Sequence, residues 1–210
     1  MKKFSIKETF KKAWGIWRAN KLILTLLTVF VFVVGMIYNP AENVLAKTIF
    51  EIVLFVATTF VGMGYLKTLL LIESGEKVEF GEIFKHAKYF WRYLLASLIY
   101  GFIVSLGVLL FIIPGIYFAL KYFFVLTLIV DKDLKIGEAF TQAGLLTDGV
   151  KWKILGFWGV SVLVAILGAL ALGVGLLVAS PVIGLASVVI YRKLSQEVSE
   201  PVRELEGTSQ

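Results

Sequence analysis

Six long apolar runs divide this chain, at 22–38, 49–72, 93–113, 116–130, 153–179 and 182–191, built almost wholly of Leu, Val, Ile, Phe, Ala and Gly. At about 1.5 Å per helical residue, most of them cross or nearly cross a hydrocarbon layer of roughly 30 Å. Within lipid, only helices and closed barrels satisfy their own backbone groups. Barrel strands alternate polar and apolar residues, and Leu22–Phe32 does not alternate. The predicted fold class is an all-α integral membrane protein with six transmembrane helices. With 59% hydrophobic residues and a mean hydropathy of +0.87, little chain remains for a separate soluble domain.

The positions of the charges give the topology. Of the 21 Lys and Arg residues, eighteen fall in the N-terminal segment, in 77–92, in 132–153 or from Arg192 onward. Between the first two runs the only basic residue is Lys47, and the 114–115 and 180–181 turns carry none. Basic residues concentrate on cytoplasmic loops, so both termini are expected in the cytoplasm of a multi-pass protein of a prokaryotic cell membrane. The basic start and first apolar run read as an uncleaved anchor, because further membrane segments follow. A net charge of +6 spread in this way points to anionic lipid headgroups and not to nucleic acid. The chain has no cysteine, which removes disulfides and thiolate metal sites.

Three segments preceding pairs of apolar runs share a pattern. In Ile6–Phe10, Phe80–Phe84 and Ile136–Phe140 an apolar residue is followed two positions later by Glu and four later by Phe, with Ala13, Ala87 and Ala143 three residues beyond. The pattern predicts three repeats of an interfacial helix plus a helical hairpin, at about 5–72, 79–132 and 135–195. Together they form a single polytopic domain over 1–196, followed by a polar, flexible cytoplasmic tail at 197–210. In the first copy Ile6, Phe10, Ala13, Trp14 and Trp17 share one helical face, and Ser5 with Glu8 makes a capping box. Such a helix either lies among headgroups or packs on the bundle. Candidate headgroup contacts are Lys7, Lys11, Lys12, Trp17, Lys85, Lys88 and Trp91.

Inside the membrane, small residues at four-residue steps (Ser161, Ala165, Ala169, Gly173; Ser97, Gly101, Ser105) predict close helix packing, with a substrate groove as the alternative. Ile113–Ile116, containing Pro114 and Gly115, predicts a tight outer turn, and Asn39–Pro40 and Ser180–Pro181 take related positions. The sixth run is short unless it extends back toward Val178. Ionisable groups within a membrane are functional candidates by default. Lys121 and Glu51, with Thr58 and Thr59, form the candidate intramembrane polar site, with a Glu51–Lys121 pair or a snorkelling lysine as structural alternatives. Lys67 is expected to snorkel. His86 has no ligand or catalytic constellation around it, and Asp131, Asp133, Glu138 and Asp148 follow no recognised metal-ligand spacing. No catalytic residue, cofactor or metal is assigned.

The segment Phe111–Tyr122, which contains Pro114–Gly115, continues through Asp131 into Ile136–Gly144. Over roughly residues 80–192 it resembles a broad group of prokaryotic six-span proteins, among them the membrane domain attached to some glycerophosphodiester phosphodiesterases. The first hairpin matches in outline. The Pro114–Gly115 turn, Asp131 and the Glu138–Ala139 helix start carry the likeness, which implies the six-span architecture. These 210 residues contain no counterpart of the metal-binding phosphodiesterase domain, so that activity is not implied. The expected function is to bind, move or organise lipid or another amphipathic molecule without catalysis. The alternatives are a small-solute transporter or channel, and a scaffold serving a membrane-protein partner.

Overall fold

The computed structural model describes residues 4–37, 43–171 and 173–207, with side chains as far as Val198. Among these residues there are nine α-helices and no strand: α1 (Ile6–Ala19), α2 (Lys21–Gly35), α3 (Val44–Glu73), α4 (Phe90–Leu110), α5 (Ile112–Lys121), α6 (Val125–Lys132), α7 (Ile136–Thr147), α8 (Lys151–Leu170) and α9 (Leu176–Gly207). Five helical stretches among the described residues are long and apolar enough to cross a bilayer: Val44–Glu73, Phe80–Leu110, Ile112–Lys132, Lys151–Leu170 and Leu176–Val198. The pair α1 and α2, bent by 97°, makes a sixth if taken as one span. The protein is thus an all-helical, multi-pass membrane protein.

Local sequence explains the starts of α1, α3 and α7. Ser5 accepts the Glu8 N–H at 3.4 Å, half of the expected capping box. Asn43 accepts the N–H groups of Leu45 and Ala46 at 2.9 and 3.2 Å, satisfying donors that the first turn of α3 leaves free. The Lys135 N–H donates to Glu138 at 3.4 Å at the start of α7. Asn20, between α1 and α2, donates its side-chain amide to the Ile16 carbonyl at 3.1 Å and so closes α1 where the chain bends.

The core is concentrated at one level of the fold. Val125, Leu128, Ile129 and Val130 of α6 are completely enclosed. They are joined by Met63 and Leu70 of α3, Ala139 and Ala143 of α7, Ile154 and Phe157 of α8, and Leu185, Tyr191 and Leu194 of α9. From this core the chain makes three apolar excursions, α2 into α3, α4 into α5, and α8 into α9. Their flanks expose residues such as Val33, Ile52, Phe102, Ile113, Leu163 and Leu170. Water would not tolerate that much apolar surface, whereas lipid accepts it.

Several boundaries differ from the sequence expectations, each for a physical reason. The turn between α4 and α5 is the single extended residue Phe111 (φ −159°, ψ 143°), two residues before the expected Ile113–Ile116. Pro114 lies in the first turn of α5, where no amide donor is needed. Gly115 serves close approach: a methyl group there would sit 2.7 Å from the Val108 nitrogen and 2.9 Å from its Cα. The third hairpin repeats the device, since a methyl on Gly175 would lie 2.6 Å from the Gly168 oxygen. Its turn includes Ala171 and residues 173–175, with Gly173 at φ +75°. Ser180 and Pro181 are therefore inside α9, which begins at Leu176 and extends the short sixth run backward. Asn39–Pro40 lies outside the described residues. The Ser97–Gly101–Ser105 stripe is not a packing face, for nothing approaches the Gly101 Cβ position.

The three Glu–Phe–Ala segments adopt different local structures. The first and third are the α-helices α1 and α7, with Ala13 and Ala143 fully buried. The second is two 3₁₀ turns, Phe80–Phe84 and Ala87–Tyr89, and Ala87 is exposed. Here a tertiary contact overrides helix propensity. The Ile83 backbone rests directly on α3 at Gly64, where a methyl group would meet the Ile83 carbonyl carbon at 2.8 Å.

Candidate functional site

Two polar cavities and one apolar groove lie against the core. The first cavity, about 630 Å³, is walled by α1, the end of α3 and α9. Glu73 accepts from Lys12 at 2.7 Å and lies 3.4 Å from the Arg192 Nε. Arg192 also reaches Asp131 at 3.0 Å and donates to Ser74 at 3.1 Å, while the Tyr191 hydroxyl donates to Asp131 at 2.7 Å. The carboxylate side chains are only 7% and 11% exposed, so each enclosed charge has a counter-ion and a hydrogen bond. This network fastens α1, α3, α6 and α9 together. None of its pairings was foreseen, because Glu73, Asp131 and Arg192 each sit just past an apolar run and read as loop charges, while Lys12 reads as a headgroup contact on a basic helix.

The second cavity, about 490 Å³, lies between α5, α7 and the start of α8. It contains Lys121, one of the residues singled out in the sequence. The helix stops at Lys121, and α6 resumes only at Val125. Carbonyls left free at the end of α5 find other donors: the Tyr100 hydroxyl bonds the Ala119 oxygen at 3.1 Å and the Thr147 hydroxyl the Lys121 oxygen at 2.9 Å. The break thereby fixes Lys121 at a helix C-terminus, where a cation is favoured, and aims it past Gly144. Its ammonium lies 5.2 Å from the Tyr122 ring centre. Lys151, the first residue of α8, enters from the other side, 5.4 Å from the Tyr117 ring and 3.0 Å from Asp148.

The other proposed polar residues do not converge on Lys121. Glu51 is exposed on the first half of α3, and no ion pair joins it to Lys121 among the described residues. Thr58 and Thr59 donate back to their own helix, to Leu54 at 2.8 Å and to Phe55 at 2.7 Å, so neither offers a hydrogen-bond donor to a water path. Lys67 does not snorkel: it donates to the Val130 carbonyl at 3.2 Å, satisfying a carbonyl near the end of α6.

Among the expected headgroup residues, Lys7 and Lys11 are exposed. Lys12 is engaged with Glu73, and Lys85 pairs with Glu82 at 2.8 Å. Lys88 lies 3.8 Å from Asp133 and 4.6 Å from the Tyr89 ring centre. Trp17 is half-buried and stacked on Trp14 at 4.9 Å, whereas Trp91 is 69% exposed. Ile6 and Phe10 pack on α8 at Gly156 and Phe157, so α1 is a helix docked on the bundle.

The apolar groove, about 360 Å³, runs between α8 and α9 and is walled by Phe123, Trp158, Ser161, Ala165, Gly184 and Ser187, among others. Both serine hydroxyls donate within their own helices, to Phe157 at 2.8 Å and to Gly184 at 2.7 Å, which leaves a surface that is hydrocarbon in character. Part of the small-residue stripe on α8 therefore lines open space. Among the described residues no group of three or more His, Cys, Asp or Glu is placed to hold a metal ion. Compared with family models, with curated proteins and with solved structures, the chain matches none. The resemblance to six-span membrane domains thus gives the class of multi-pass helical protein and no family assignment.

Proposed function

We propose that this chain is a non-enzymatic membrane protein that binds an amphipathic molecule, in the first instance a membrane lipid, and holds or moves it along the α8–α9 flank. The observation that carries this reading is the apolar groove, whose edge residues Trp158 and Val162 are also exposed on the flank of the hairpin. A hydrocarbon chain gains by filling such a groove because its walls otherwise lack contact atoms on one side. Solute transport is favoured less, since Glu51, Thr58 and Thr59 contribute no common polar path with Lys121. The basic segments give the orientation we adopt, with both termini in the cytoplasm and anionic lipid at that surface. The three Glu–Phe–Ala segments are read as traces of a triplicated helix-plus-hairpin unit.

Filling the groove tests the reading. In protein purified in mild detergent, Ser161→Phe and Ala165→Phe should each reduce total co-purifying lipid several-fold in native mass spectra. Unchanged lipid in a folded variant would contradict a lipid-binding groove. Orientation is tested by Val44→Cys and Glu76→Cys, which should show opposite labelling by an impermeant thiol reagent in intact cells. Equal labelling would contradict the topology.

A further inference from the structure

We propose that the cavity between α5, α7 and α8 is an anion site that takes a phosphate group, presented as the headgroup of an anionic lipid. The inference rests on the lipid-binding reading and assigns the polar end of that ligand. Two ammonium groups separated by 30 positions in the chain, Lys121 and Lys151, line the same cavity. Each leans on a tyrosine ring, an arrangement that keeps a cation partly dehydrated while leaving its N–H donors available. The one carboxylate in the wall, Asp148, is 76% exposed at the rim where it meets Lys151. Two positive charges thus face one negative charge.

Two further features favour an anion. The N-terminus of α8, which begins at the cavity-lining Lys151, has no side-chain cap, and the positive end of its helix dipole adds to the potential there. At Gly144 the wall has no side chain, and a methyl group would already meet the Lys121 stem at 3.4 Å. The missing side chain leaves space next to the ammonium. Tyr117 and Leu145, which line the cavity, are exposed and aromatic or apolar. That rim suits the glycerol and upper chain region of a lipid, whose phosphate would then reach the lysines. The first cavity, by contrast, already supplies its cations with internal carboxylates.

Full-length protein in mixed micelles should retain phosphatidylglycerol over phosphatidylcholine in native mass spectra. The combined Lys121→Gln and Lys151→Gln variant should lower that ratio at least five-fold while total bound lipid is unchanged. Lys121→Arg with Lys151→Arg should preserve the ratio. Gly144→Leu keeps both charges but fills the space, and it should lower the ratio as well. Inorganic phosphate, added at constant ionic strength, separates the two sources of the same chemistry. Failure to displace phosphatidylglycerol identifies a lipid headgroup, whereas displacement identifies a free phosphate as the occupant of the same site. A ratio unchanged in both the glutamine and the Gly144→Leu variants would overturn the proposal. Loss of total lipid on filling the α8–α9 groove is a separate result, so failure of that reading and failure of this site are told apart.

Discussion

The two polar cavities contain similar numbers of cations but use them differently. In the α1–α3–α9 cavity, Lys12 and Arg192 are matched to Glu73 and Asp131, and their charges are spent on holding four helices in place. In the α5–α7–α8 cavity, Lys121 and Lys151 lean on Tyr122 and Tyr117, with a single exposed carboxylate nearby. A charge in a largely apolar chain is therefore not a functional marker in itself. Its partners decide whether it belongs to the scaffold or is available to a ligand.

The sharpest way to break this comparison is to remove Arg192. Arg192→Ala leaves Glu73 and Asp131 enclosed with fewer donors, and breaking such a network costs about 3 kcal/mol. A marked fall in the melting temperature in detergent is expected, and an unchanged value would show that the network fastens nothing. Next in size is Gly64→Ala, whose methyl group would press on the Ile83 backbone. Overpacking of this kind costs about 1–3 kcal/mol, read again by thermal unfolding. Wild-type stability there would mean that the 3₁₀ segment is free to move away.

How much of this was legible in the sequence depends on the range of the interaction. The helical membrane class followed from the apolar runs, since a lipid environment imposes hydropathy on every residue of a span. Lys121 was legible as a charge within such a run. Lys151 was not, because its value depends on α7 folding back so that Thr147 reaches the Lys121 carbonyl. That return depends on a helix break at Tyr122–Phe124, which no glycine or proline announces. The Pro114–Gly115 pair gave the right hairpin but the wrong turn residue, for Gly115 is required by Val108 across the hairpin and not by its own dihedrals. Glu73, Asp131 and Arg192 lie 58 and 61 positions apart in sequence, and only the packed core shows that they meet.

The exposed lysines supply the smallest effect. Lys7→Gln with Lys11→Gln should weaken enrichment of anionic lipid by about 1 kcal/mol per residue at low salt, with no change in melting temperature. Added salt should erase the difference. Persistence at high salt would place these lysines in specific contacts. Lys12→Gln should behave otherwise and lower stability, because it takes a partner from Glu73.

The contrast between the cavities is tested most directly by measuring the melting temperature and the phosphatidylglycerol-to-phosphatidylcholine ratio on two variants side by side. Arg192→Gln, held below its melting temperature, should lose stability and keep the wild-type lipid ratio. The combined Lys121→Gln and Lys151→Gln variant should keep the wild-type melting temperature and lose the ratio. If Arg192→Gln loses the lipid preference while folded, or the double lysine variant melts as early as Arg192→Gln does, the division between a structural cavity and a ligand cavity is wrong.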